Sequence, residues 1–138
     1  MPGWDSFTMA DEILNFYYRG TAISIGSSLW IRFLVAPSSR AGGGTETNYA
    51  GYARYESVRD GTVFGTAASG TGQLLNTIKI ILPVATSVGN GNLVWFDFVN
   101  TASGVFTKHY NGGPILPPKA VVVGKSPEFG SGKLILTF

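Results

Sequence analysis

A hydrolytic triad needs a histidine, and His109 is the only one in this 138-residue chain. A serine nucleophile of the hydrolase kind would sit in a G-x-S-x-G turn, and the sequence contains none. His109 stands between Lys108 and Tyr110 in what reads as an alternating strand. It is therefore expected to face solvent or to be satisfied in place. One histidine and scattered carboxylates supply too few ligands for a metal site. The absence of cysteine removes thiolate ligands and disulfides together, and suits a chain made in a reducing cytosol. Val121-Val122-Val123-Gly124-Lys125-Ser126 resembles the end of a phosphate-binding loop. That loop requires a glycine where Lys119 stands, and Pro127 follows where a helix should begin. Eight acidic residues offer carboxylate pairs for acid–base work, such as Glu56 with Asp60, but none is expected to sit in an apolar run that would perturb it. The reading that follows is a protein without catalysis, cofactor or metal.

Binding chemistry is little better marked. Eighteen aromatic residues could form a sugar- or base-stacking platform, but core packing and protein interfaces explain them equally well. A net charge of +2 without any basic run argues against nucleic acid. No apolar stretch reaches the roughly 18 residues of a membrane span, and nothing before Arg19 reads as a secretory signal. Charged residues make up only 13% of the chain, about half the usual share. A surface that poor in charge is expected to be covered by partners.

The elements that would position these residues are short. Residues 1–138 read as one β domain carrying one N-terminal helix over residues 9–19. Thr8 and Asp11 give a capping pattern, Asp11 and Glu12 fall in the first turn, and Gly20 supplies the stop. Ile13, Leu14, Phe16, Tyr17 and Tyr18 form its expected packing stripe. Strands follow at Leu29–Val35, Tyr49–Val58, Ile78–Leu82, Leu93–Val99, Val105–Tyr110, Ala120–Val123 and Leu134–Phe138. Between them lie glycine-rich loops at 38–47 and 65–72, and turns at Asp60-Gly61 and Asn111–Pro114. Seven short strands with regular turn signals predict a mainly β fold, an antiparallel β-sandwich or jelly-roll-like barrel. Trp30, Arg32, Tyr52, Tyr55 and Trp95 fall on strands whose opposite face should be core. Aromatic residues and arginine on an outer face are anchors of protein interfaces. A second sheet or the helix covering them is the competing arrangement.

The phrase Ile13-Leu14-Asn15-Phe16-Tyr17-Tyr18-Arg19-Gly20-Thr21-Ala22, the strand at Leu29–Val35, then Gly43-Gly44-Thr45-Glu46 and Gly51-Tyr52-Ala53-Arg54 resemble a family of small structural proteins of tailed bacteriophages. Members of that family are often labelled tail-fibre proteins, and relatives act as cement or decoration proteins on capsids. The likeness covers about residues 10 to 58. It departs at Arg32, where the family carries an apolar or small residue, and in the additional start at residues 1–8. Those residues read as an N-terminal arm, with Trp4 and Phe7 placed to latch onto a neighbouring subunit.

The resemblance implies a virion structural protein. The expected role is a capsid cement or decoration protein that is assembled in the host cytoplasm and binds the major capsid protein at the capsid surface. Copies would also contact each other, a symmetric homotrimer suiting three-fold positions. Its interface would use Trp4, Phe7, Trp30, Arg32, Tyr52, Arg54 and Trp95. The alternatives are a tail or fibre-associated protein and a carbohydrate-binding attachment module, carbohydrate being the less favoured partner.

Overall fold

The computed structural model describes residues 7–39, 43–66 and 70–137, and leaves the side chains of Phe7 and Thr8 outside that description. Helix α1 (Phe7–Arg19) comes first. It starts two residues before the expected position, so Thr8 lies inside the first turn rather than capping it, and Asp11 and Glu12 fall beyond that turn. Arg19 does lie in the last turn, where a cation suits the helix dipole. Gly20 ends the helix at a φ of +68°, a conformation open to glycine.

The main sheet is built around two long strands, β1 (Ser28–Ala36) and β6 (Leu93–Val99), which run antiparallel. On the far side of β1 lie β2 (Thr45–Glu46) and β3 (Tyr55–Val58), one after the other along the same edge. Strand β7 (His109–Lys119) pairs with β6 at the opposite edge. Two small antiparallel ribbons complete the fold: β4 (Gln73–Leu75) with β9 (Ile135–Thr137), and β5 (Ile80–Ile81) with β8 (Glu128–Phe129).

Strand periodicity divides the sheet into two faces. Ile31 stands opposite Phe98, and Phe33 opposite Phe96. These four side chains are buried in one apolar cluster with Ile80, Leu82, Phe129 and Leu134 from the ribbons and their flanks. Phe33 stacks on Phe129 with ring centroids 4.9 Å apart, and Phe96 meets Phe98 edge-on at 6.2 Å. The fold is thus mainly β and antiparallel with one short N-terminal helix, as expected. It is layered and open, with no closed barrel among the described residues.

Several strand boundaries differ from those the sequence suggests. Only Tyr55–Val58 of the Tyr49–Val58 segment forms a ladder. The preceding stretch turns at Gly51, where φ is +100° and the Tyr52 N–H returns to the Tyr49 carbonyl. Strand β7 begins at His109 and continues through the expected turn at Asn111–Pro114 and past Pro117 and Pro118. An edge position permits this, because a proline facing away from the sheet forfeits no ladder bond. Gly112 and Gly113 belong there for another reason: a Cβ on Gly112 would collide with the Phe96 carbonyl, and one on Gly113 would press on the Ile135 carbonyl. Residues 120–123 form no strand. The Gly124-Lys125-Ser126 segment is a turn held by Gly124 N–H to the Ala85 carbonyl, with no helix after it.

Candidate functional site

The second face of the main sheet carries Trp30, Arg32 and Leu34 from β1 and Trp95, Asp97 and Val99 from β6. Among the described residues no second sheet covers it. The chain around Ser38, and the loop from Asn100 to Lys108, lie over it and are fastened by a buried polar network.

Its centre is the Arg32–Asp97 pair, directly opposed across β1 and β6. Arg32 donates from Nε to Asp97 Oδ1 (2.8 Å) and from Nη2 to Oδ2 (2.7 Å), a bidentate contact in which both side chains are buried. Ser38 Oγ also donates to Oδ2 (2.7 Å), and His109 Nε2 lies 2.8 Å from the same oxygen. Burial alone would raise the Asp97 carboxyl pKa. The hydrogen bonds from Arg32 and His109 outweigh it and hold the pKa below its ordinary value.

Serine, histidine and aspartate therefore do meet, at Ser38, His109 and Asp97. They do not form a relay. A triad sets carboxylate and hydroxyl on opposite ring nitrogens, so that the ring can pass a proton between them. Here both lie on Nε2, with Ser38 Oγ at 3.3 Å, and the serine hydroxyl is spent on Asp97 itself. His109 Nδ1 is buried and has no hydrogen-bond partner among the described residues.

A second cluster adjoins the first. Arg54 donates to both carboxylate oxygens of Glu46 (Nε to Oε1 and Nη2 to Oε2, each 2.9 Å) and to the carbonyls of Thr101 (3.0 Å) and Gly104 (2.9 Å). Tyr52 donates its hydroxyl to Glu46 Oε1 (2.9 Å) and accepts the Phe33 N–H (3.1 Å). Burial first, and the Glu46 charge second, push the Tyr52 hydroxyl far above the usual tyrosine range. Phe106 joins the clusters, its ring centroid 4.5 Å from the Arg32 guanidinium carbon and 5.8 Å from that of Arg54. Each guanidinium near the ring has its own carboxylate, so the two cations share one aromatic without bare repulsion.

The residues expected at an interface are distributed as follows. Arg32, Tyr52 and Arg54 come together, with both guanidinium groups paired to carboxylates and withdrawn from solvent, so Arg32 does not present its charge on an outer face. Trp30 and Trp95 are half-buried, and Trp95 Nε1 is buried without a hydrogen-bond partner among the described residues. Trp4 lies outside the described residues, and with it most of the expected arm. Phe7 opens α1 instead of belonging to that arm. The sequence reading missed Glu46, Asp97, Ser38 and Phe106. A signal for the central pair existed: one cation and one anion, each in the middle of a long apolar strand.

Several large apolar side chains lie on the surface. Leu14, Phe16, Tyr17 and Tyr18 of α1, expected to pack on the body, are exposed, and Met9 is the helix's buried contact. Val84, Val88, Val122 and Val123 are also exposed, on segments tied together where the Ala85 N–H meets the Lys125 carbonyl. An apolar cavity of about 320 Å³ opens beside β3, lined by Leu29, Phe64, Leu74, Phe98 and Leu136 with Arg59 at its margin. Among the described residues no three metal-ligating side chains cluster, and no helix is long and apolar enough to cross a membrane.

Comparison with known families gives one finding. The family model described as Podophage GP4 fiber I protein gp80 matches residues 6–137. No curated protein matches the chain.

Proposed function

This chain belongs to the podophage GP4 fiber I protein gp80 family, and on that premise we propose that it is a non-enzymatic structural subunit at the fibre or its attachment to the tail. It is a β-rich bacteriophage structural protein, and it works by contact with other virion proteins. One contrast carries this reading. The groups able to do chemistry, Arg32, Asp97, His109, Arg54 and Glu46, are engaged in holding loops onto the sheet. Large aromatic and aliphatic side chains, on α1 and on the segments carrying Val84 and Val122, are left exposed to meet a partner.

Capsid cement is the second reading, with the major capsid protein as partner. It is favoured by the presence of more than one exposed apolar surface, on α1 and on the segments carrying Val84 and Val122, since a bridging protein needs at least two. Copy number separates the two locations. Quantitative mass spectrometry of purified virions against the major capsid protein should give a few copies per hundred for a fibre protein. A ratio near one-to-one would move the protein to the shell.

A further inference from the structure

Helix α1 is joined to the body along one side. Met9 is buried in the core and Ile13, one turn on, is half-buried, while Phe16 beyond it is already half exposed. On the same side Glu12 pairs through Oε1 with Lys108 Nζ at 2.7 Å. That ammonium also donates to the Ser24 carbonyl (3.1 Å), in the segment leading from the helix to β1. Lys108 stands on a fixed base. Asn100, the residue after β6, accepts at Oδ1 the N–H groups of Thr107 (3.1 Å) and Lys108 (3.0 Å). One side chain therefore ties helix, linker and sheet together.

The linker has a free stretch between two anchored ones. Residues 20–22 are exposed, and the Thr21 N–H returns to the Asn15 carbonyl of the helix (3.2 Å) rather than to the body. From Ile23 onward the chain is held again. Ile23 and Ile25 pack on the core, and Arg59 Nη1 donates to the Ile25 and Gly26 carbonyls (3.3 and 2.8 Å).

We infer that Lys108 is the latch of a hinged N-terminal arm, and that α1 docks and folds as one unit separate from the sheet. Two properties make the latch decisive. Glu12 Oε2 is buried with no hydrogen-bond partner among the described residues, so without Lys108 the carboxylate would be withdrawn from water and unpaired. A 13-residue helix is also marginal on its own in water, so a helix that leaves the body melts. The Lys79–Glu128 pair is the contrast: it is 3.4 Å long with side chains 56% and 47% exposed, against 23% and 29% for Lys108 and Glu12. Exposed pairs of that kind contribute little. Leu14, Tyr17 and Tyr18, at i, i+3 and i+4, then form one surface only while the latch is closed. The inference holds whatever place the chain occupies in the virion.

Hydrogen exchange of the full chain, read by mass spectrometry, tests it. Lys108→Met should speed the amides of residues 11–16 together by about tenfold or more, while those of β1 and β6 keep their rates. Lys79→Met should leave α1 unchanged. Exchange in α1 no faster in Lys108→Met than in Lys79→Met would overturn the inference. So would acceleration shared equally by β1 and β6, which would make α1 part of the global unit, or rates graded along residues 11–16 instead of rising together.

Discussion

At the residue scale the informative event is a carboxylate with four donors around it. Asp97 is fully buried, and it is held ionised against the cost of burial by Arg32, Ser38 and His109. A buried pair of this sort is weak evidence for net stability, but removing one partner strands the other charge. Asp97→Ala should therefore cost about 3–5 kcal/mol in a urea titration. Replacing both partners, Arg32→Met with Asp97→Leu, should recover most of that loss. The pH dependence has a definite sign. Because the folded carboxyl lies below its ordinary 3.8, the unfolded chain takes up the proton first as pH falls. The contribution of Asp97 is complete above that ordinary value and is lost as pH drops through the folded one. The urea midpoint should fall on the acid side, and the double variant should show a shallower fall. The sequence held a sign of both members, since Arg32 in Leu29–Val35 and Asp97 in Leu93–Val99 each interrupt an apolar run; the expectation that no carboxylate sits in such a run was wrong at Asp97. Their opposition was not readable, because 65 residues separate them and only the register of β1 on β6 makes them neighbours.

At the scale of elements, the strands legible in the sequence are those with alternating apolar faces, β1 and β6, and both formed nearly as expected. The illegible ones are β2, β4 and β8, each two or three residues long. They exist because tertiary contacts hold them, which local pattern does not record. One such contact is Asn76, buried before β5. Its side chain donates to the Ile78 and Gly130 carbonyls (2.8 and 2.9 Å) and accepts the Leu134 N–H (2.9 Å). Asn76→Ala would leave three backbone groups unpaired and should cost about 3 kcal/mol. Hydrogen exchange should then show the loss first at Leu134 and along β9. The helix illustrates the opposite error: of the stripe expected to pack on the body, Ile13 is half-buried while Leu14, Phe16, Tyr17 and Tyr18 are exposed. Amphipathicity tells that a face will be buried, not by which chain.

At the scale of the molecule, stability should be graded. The β1 and β6 amides lie between paired neighbours over the shared core and should exchange only with global unfolding. The last turns of α1 touch little of the body and should exchange fastest in dilute solution. Binding of a partner at the exposed stripe of α1 should protect those same amides, while β1 and β6 stay unchanged. Exchange measured by mass spectrometry on the free chain and on purified virions reads both outcomes.

The route by which α1 joins the sheet has a mechanical side. The helix connects through residues 20–27 straight into β1, a strand bonded on one edge to β2 and β3 and on the other to β6. Tension applied at α1 along the strand would load those ladders in shear, many hydrogen bonds at once, instead of peeling them singly. The Arg32–Asp97 bridge crosses the same seam and would resist the same sliding. Forced unfolding is limited by the unfolding barrier rather than by equilibrium stability, so a part anchored through α1 could carry strain that its size alone would not suggest.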